Sequence, residues 1–223
     1  HKNVSTPNDP ASSRLGETFW AFWPRTVMGS LRSAWHLEAE RLARAGKSVW
    51  SLSNENLQSW AMSVVLWGAL LAVLGWVVLP FLLIQAVYGF SLLEVVNYLE
   101  HYGLLRRQLP DGRVERCLPE HSWNSNHMVT NLFLYHLQRH SDHHANPTRH
   151  YQALRPFEDS PQLPGGYAAM MLLAYVPPLW FAVMDKRVIR HYRGDLSRIN
   201  WYGPRREKLM ARYADFAAEQ GRE

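Results

Sequence analysis

Residues 60–93 read WAMSVVLWGALLAVLGWVVLPFLLIQAVYGFSLL and contain no Lys, Arg, Asp, Glu or His. One membrane span needs about 20 apolar residues, so this run is too long for one helix and fits two. Gly75 and Pro80 mark the predicted turn, because proline is favoured at the first position of a helix. Gly89 is a second possible break. The pattern predicts a mainly α fold with a membrane helical hairpin over residues 58–102.

The charged residues lie on either side of this run. The formal net charge is +5, with seven of the 24 Lys and Arg residues before the run and seventeen after it. Two spans return the chain to the side that it left, so both flanks share one face, and their basic charge predicts that this face is cytoplasmic. We therefore predict a membrane-surface loop and amphipathic helix over 1–57, two spans over 58–102, and a cytoplasmic, helical, His-rich region with a basic tail over 103–223. The expected interface anchors are Trp60, Trp76, Tyr98 and Tyr102.

The segment before the hairpin begins with a loop. Ser12 or Ser13 is predicted to cap a helix that runs to about Gly46. Its mixture of Trp and Arg suits a membrane surface, although an ordinary amphipathic helix packed on its own domain explains it equally well. The chain opens on His1 without an initiator Met or a signal-peptide pattern, so we expect a fragment whose beginning lies upstream.

Residues 131–145 contain four histidines, at positions 136, 140, 143 and 144. In a single helix at about 100° per residue these four would share one face. His140 and His144 stand four apart, the spacing at which two imidazoles chelate one ion. The adjacent His143 diverges from His144 and favours a second ion. The alternative is a solvated helix that is rich in histidine.

Glu100 and His101 end the second predicted span. Ionisable residues there are costly unless paired, hydrated or metal-bound, so both are candidate functional residues. His121 and His127 are candidates for hydrogen-bonding or substrate-site roles, with a purely structural role favoured for each. The single cysteine, Cys117, excludes an internal disulfide and a thiolate cluster, so any metal must bind nitrogen and oxygen. Imidazole ligands suit Fe, Zn, Cu or Ni.

Two further segments carry structural predictions. Residues 110–112 are a plausible hairpin tip. Residues 165–184 are uncharged but interrupted by Pro177 and Pro178, and a span there would put the Arg-rich tail outside. We predict a buried or membrane-grazing helix instead. We see no phosphate-binding loop or nucleic-acid-binding pattern, so the basic charge is expected to serve anionic lipid or an acidic protein.

Four segments resemble one family. They are NYLEHYG at 97–103, LQRHSDHHA at 137–145, NVSTPNDPASSR at 3–14 and NPTRHYQALR at 146–155. They resemble the bacterial membrane alkane 1-monooxygenases, also called alkane ω-hydroxylases. The likeness covers nearly the whole chain, and these motifs are very specific.

The resemblance implies two irons held by nine histidines from four motifs. On that pattern His1 ends the second motif, His101 is the single histidine of the third, and the fourth supplies His140, His143 and His144. His136 lies outside the motif. The residues expected to orient these ligands are Glu100, Asp142 and Asp9. Four ligands are missing, so we expect residues 1–223 alone to bind iron weakly and to lack hydroxylase activity.

The resemblance also implies hydroxylation of the terminal methyl of n-alkanes to 1-alcohols with O2 in the inner membrane. Electrons would come from rubredoxin, reduced by an NAD(P)H-dependent rubredoxin reductase and docked at the basic tail and Arg139, Arg149 and Arg155. The alkane path would be lined by Leu66, Leu70, Val73 and Leu74. One alternative is a related di-iron enzyme acting on alkyl-aromatic methyl groups or fatty acyl chains. Another is a non-enzymatic metal-binding or transport module, for which the uncharged run offers few polar residues.

Overall fold

The computed structural model describes residues 3–222, which form eight α-helices joined by turns, short 3-10 segments and four isolated β-bridges. This confirms the mainly α prediction. The helices are α1 (Phe19–Arg44), α2 (Glu55–Leu74), α3 (Leu79–His101), α4 (Met128–Phe133), α5 (His140–Ala145), α6 (Tyr167–Ala174), α7 (Pro177–His191) and α8 (Arg206–Gln220).

The two predicted spans are confirmed as α2 and as the continuous segment Trp76–His101, which contains α3. Both are long and apolar enough to cross a membrane, with mean hydropathies of 1.8 and 1.9 over their most apolar stretches. No residue of α2 is buried, and almost none of the apolar stretch of the second segment is. Such exposed apolar surface suits contact with lipid hydrocarbon rather than with water.

Gly75 ends α2 in a backbone conformation with φ of +79°, which favours glycine. A 3-10 turn over Trp76–Val78 follows, and α3 starts at Leu79, with Pro80 in its first turn. The predicted break is therefore confirmed. Gly89 does not interrupt α3, because a glycine inside a helix weakens it without breaking it.

The start of α1 differs from the prediction. Residues 3–18 form turns, and Thr18 caps the helix, because its Oγ1 accepts the N–H of Ala21 (3.1 Å). The predicted cap at Ser12 or Ser13 is wrong. The Ser13 hydroxyl donates to the carbonyl oxygen of Tyr98 (2.5 Å), and the Ser12 hydroxyl donates to Asp9 (2.6 Å). These serines tie the N-terminal loop together and to α3.

The predicted single helix over residues 131–145 is also wrong. Helix α4 ends at Phe133, Tyr135 and His136 have φ of +50° and +59°, and α5 begins only at His140. The N–H of His136 donates to the carbonyl of Asn131 (2.8 Å), which closes the end of α4. Left-handed residues cannot continue a right-handed helix, so His136 points away from the face that His140 and His144 share.

The hairpin tip at residues 110–112 is confirmed. Gly112 has φ of +78°, and the N–H of Leu109 donates to the carbonyl of Arg113 (2.7 Å). Gln108 and Val114 form an antiparallel bridge on either side of the turn.

Residues 165–184 divide between α6 and α7, which meet at a bend of 120° with Pro177 starting the second helix. Together, α6 and α7 are long and apolar enough to form one broken membrane span. The side chains of Trp180, Met184, Val188 and Ile189 are nevertheless fully buried in a hydrophobic core. The sequence predicts one buried or membrane-grazing helix here: the burial agrees with the first alternative, but the single helix is wrong because the chain bends where Pro177 starts α7. We treat only α2 and the Trp76–His101 segment as spans.

The described chain forms two compact units. One contains the residues up to Pro24 and from Glu94 onward, and the other contains Arg25–Leu93. The first unit contains the large hydrophobic core, which includes Phe19, Tyr98 and Trp180. It also contains His101, His140 and His144.

Candidate metal centre

Three histidines from two helices meet in the first unit, and we refer to them as the triad. His101 ends α3, while His140 and His144 lie one turn apart on α5. Their ligand nitrogens all lie within 4.8 Å of one another, and the Nε2 atoms of His140 and His144 are 2.7 Å apart. The spacing of four thus places both α5 imidazoles on one side of that helix, facing His101.

A backbone carbonyl sets the orientation of His101. Its Nδ1 lies 3.3 Å from the carbonyl oxygen of His121, which also accepts the Ser5 hydroxyl (2.9 Å). With the carbonyl as acceptor, Nδ1 carries the proton and Nε2 keeps its lone pair. A hydrogen bond of this kind to the non-ligating nitrogen is usual for metal-binding histidines.

Helix α5 is held by the segment that precedes α4. The N–H of Ser141 donates to Asn124 Oδ1 (2.9 Å), and the Ser141 hydroxyl donates to the carbonyl of Pro119 (2.8 Å). Both Ser141 and Asn124 are fully buried. These two hydrogen bonds hold the first turn of α5, a helix of only six residues that would not be stable alone.

Burial favours the neutral form of His140 and His144. Burial lowers the pKa of His144 to about 2 and lowers the pKa of His140 well below its usual range, with the neighbouring histidines adding to both effects. Neutral imidazole is the form that binds metal ions. His140 Nδ1 is buried without a hydrogen-bond partner among residues 3–222. Three clustered, neutral imidazoles therefore fit a transition-metal ion.

Glu100 lies beside this cluster and is almost fully buried. Its Oε2 is 3.1 Å from His140 Nε2, and its Oε1 accepts the hydroxyl of Tyr167 (3.0 Å). The sequence indicates Glu100 but not Tyr167, because Tyr167 lies in an apolar segment that gives no reason to expect a polar contact. The motif position of Glu100 is the only signal that a partner was needed.

Asp142 has a different role from the expected contact with a ligand. Its buried carboxylate accepts hydrogen bonds from Arg149 Nη1 (2.6 Å), Asn146 Nδ2 (2.7 Å) and the backbone N–H of Arg155 (2.8 Å). It thereby fastens residues 146–155 onto α5. It does so without a hydrogen bond to a histidine ring among the described residues.

The other predicted site residues within 3–222 are not members of the triad. The His143 ring is 5.7 Å from those of His140 and His144 and is not part of the triad. Asp9 interacts electrostatically with His101. His127 is exposed beside Thr130, and His136 is half-buried beside Tyr151. His1 lies outside the described residues.

A second cluster, formed by Glu115, Glu120 and His121, also has ligand-like spacing. The N–H of Leu118 donates to His121 Nδ1 (3.0 Å), so in the neutral ring the proton sits on Nε2. That nitrogen faces Glu115 at 3.1 Å and Glu120 at 3.4 Å. A protonated nitrogen has no lone pair for a metal ion, so we assign this cluster to holding the His121 carbonyl against His101.

A histidine cluster at the end of a membrane-type helix is typical of membrane proteins with a histidine-ligated metal centre. The sequence model of the fatty acid desaturase family matches residues 1–174, and the chain belongs to that family. The predicted likeness to alkane 1-monooxygenases is confirmed. The chain is 57% identical to an alkane 1-monooxygenase of Acinetobacter baylyi, over 96% of this chain and 52% of the relative.

Two further relatives extend the comparison. Alkane 1-monooxygenase 1 of Alcanivorax borkumensis is 53% identical over 89% of this chain and 49% of its own length. The hydroxylase component of a xylene/toluene monooxygenase of Pseudomonas putida is 32% identical over 86% of this chain and 50% of its own. The chain thus spans about half the length of the curated relatives that it matches.

Proposed function

We propose that this chain is the C-terminal part of a membrane hydroxylase that converts n-alkanes to 1-alcohols. The observation that carries the proposal is the buried triad of His101, His140 and His144 at the end of a membrane-type helix. Sequence identity of 46–57% to seven alkane 1-monooxygenases supports the reaction type.

The proposed cofactor is a pair of irons. The residues that would hold them are His1, His101, His140, His143 and His144, with the remaining ligands supplied by sequence upstream. When bound, the irons supply the O2 activation that hydroxylation requires, and the protein supplies binding and orientation. In this chain the His121 carbonyl orients His101, and the buried neutral state of His140 and His144 keeps their lone pairs available.

The proposed substrate enters from the bilayer. An eight-carbon alkane gains roughly 6 kcal/mol on leaving water, at about 0.8 kcal/mol per methylene. The exposed side chains of α2 supply the apolar surface along which it would move, and we propose Leu66, Leu70, Val73 and Leu74 for its path. The location proposed is the bacterial inner membrane, with the His-rich region cytoplasmic.

The proposed electron donor is rubredoxin, reduced by an NAD(P)H-dependent rubredoxin reductase. Two of the arginines first considered for its docking also serve the fold: Arg149 pairs with Asp142, and Arg139 Nη1 donates to the carbonyl of Leu154 (2.6 Å). The exposed Arg205, Arg206 and Lys208 near the start of α8 are better suited to an acidic partner.

One alternative substrate class has specific support. The xylene/toluene relative shares 32% identity, so an alkyl-aromatic methyl group is the second candidate substrate. Such an enzyme would use the same histidines with a differently shaped channel. The two candidates therefore differ in their products and not in their metal ligands.

A chimera tests the proposal. Residues 1–223 would replace the matching region of the Acinetobacter baylyi relative, in cells supplying rubredoxin and its reductase. We expect 1-octanol from octane, loss of product with His140→Ala, and retention with the matched control His136→Ala. Product from xylene but not octane would favour the alternative. A membrane-inserted, iron-loaded chimera that converts neither would overturn the hydroxylase proposal.

A further inference from the structure

Glu100 is a buried carboxyl with few partners. It is 1% exposed, and its hydrogen-bonding neighbours among residues 3–222 are the Tyr167 hydroxyl and His140 Nε2. No Lys or Arg of the described chain pairs with it. A buried carboxyl is costly unless its hydrogen bonds are satisfied, so the Tyr167 hydroxyl is important in fixing its orientation.

Tyr167 forms hydrogen bonds through both its backbone and its side chain. Its backbone N–H donates to Gln138 Oε1 (2.8 Å), just before α5 begins, and its hydroxyl reaches Glu100 on the last turn of α3. The ring is fully buried at the start of α6. Tyr167 therefore connects the helix that supplies His101 with the segment leading to the helix that supplies His140.

We infer that Tyr167 is a positioning residue for the metal centre, holding Glu100 Oε1 so that Oε2 faces His140 Nε2. The inference rests on the proposed metal-binding function. Because Glu100 Oε2 lies 3.1 Å from a nitrogen that would bind the ion, the orientation of this carboxyl helps to fix the position of the His140 ring. Losing the Tyr167 hydroxyl would free the carboxyl to rotate, and loss of such an outer hydrogen bond typically weakens metal affinity by roughly 10-fold or more.

The test is Co(II) binding to the full chain in detergent, followed by the visible absorption of the bound ion and by competition with a chelator. Tyr167→Phe removes only the hydroxyl. We expect a roughly 10-fold weaker affinity and a shifted Co(II) spectrum. The matched control is Tyr213→Phe, because the Tyr213 hydroxyl also donates to a buried carboxyl, Asp185 (2.8 Å), away from the histidines. It should leave both readouts unchanged.

A double-mutant comparison separates positioning from general loss of structure. Glu100→Gln should weaken Co(II) binding as well, and adding Tyr167→Phe to it should have little further effect, because the two residues act as one unit. Additive losses, or equal losses in Tyr167→Phe and Tyr213→Phe, would overturn the inference.

His140→Ala separates a failure of the positioning role of Tyr167 from a failure of the proposed metal site. If that change weakens Co(II) binding but Tyr167→Phe does not, the positioning role alone is wrong. If His140→Ala leaves binding unchanged, the triad is not the metal site, and both the proposed function and this inference fail.

Discussion

Asp185 is buried on α7, where the hydroxyls of Tyr102 and Tyr213 donate to its two oxygens (2.7 and 2.8 Å). Burial raises the pKa of Asp185 from 3.8 to about 6. The folded state therefore binds its proton more tightly than the unfolded chain does. This group favours folding below pH 4, and that contribution is lost as the pH rises towards 6.

We expect the free energy of unfolding to lose about 3 kcal/mol from this group across that window, at 1.36 kcal/mol per pH unit. Asp185→Asn cannot ionise and should show a flatter dependence. The measurement is urea unfolding of the detergent-solubilised chain at pH 4, 5, 6 and 7. Identical pH profiles for the two proteins would contradict the assignment.

At the scale of elements, Asp142 fastens the connector of residues 146–155 to α5. Its side chain is fully buried and that of Arg149 is 24% exposed, so the pair is largely shielded from water. Removing one partner of a buried pair leaves the other charge uncompensated and costs about 3–5 kcal/mol. The connector should then detach more often than in the native chain.

Asp142→Asn is therefore expected to speed trypsin cleavage after Arg149 and Arg155, followed by mass spectrometry. Asp111→Asn provides the matched control. Asp111 pairs with Arg113 at 2.7 Å, but both side chains are substantially exposed, and such pairs contribute at most about 1 kcal/mol. Unchanged cleavage at Arg149 in Asp142→Asn would show that other contacts hold the connector.

For the whole molecule, the triad would supply three of the ligands of the proposed metal site. Three imidazoles leave an ion with open positions, and we expect the proposed pair of irons to need more ligands than the triad among residues 3–222 supplies. We expect purified residues 1–223 to hold well under two irons per chain after dialysis and to leave octane unchanged. Two tightly held irons measured by elemental analysis would refute this.

Membrane topology is a second prediction for the whole molecule. Two spans return the chain to its starting side, so positions 52 and 112 should react with an impermeant thiol reagent from the same side of the membrane. Leu52→Cys and Gly112→Cys would be made in a Cys117→Ser background. Val77→Cys, in the exposed 3-10 turn that joins α2 to α3, should react only from the opposite side. Labelling of 52 and 112 from opposite sides would exclude the hairpin.

The two apolar helices and the turn at Gly75 follow from local sequence alone. A helix in lipid must satisfy its own backbone and present apolar side chains, and both requirements are local properties of residues 60–93. The sequence also indicated the pairing of His140 with His144, because a spacing of four brings two side chains together whenever those few residues are helical.

The rest of the histidine site depends on packing between segments that are distant in the sequence. Periodicity predicted one helix through His136, but the left-handed turn at Tyr135 and His136 breaks it, and α5 is held by Asn124 from a distant segment. The contact of Tyr167 with Glu100 joins residues 67 positions apart. Such partners are chosen by packing between elements, and no local pattern records which distant hydroxyl or carbonyl will satisfy a buried group.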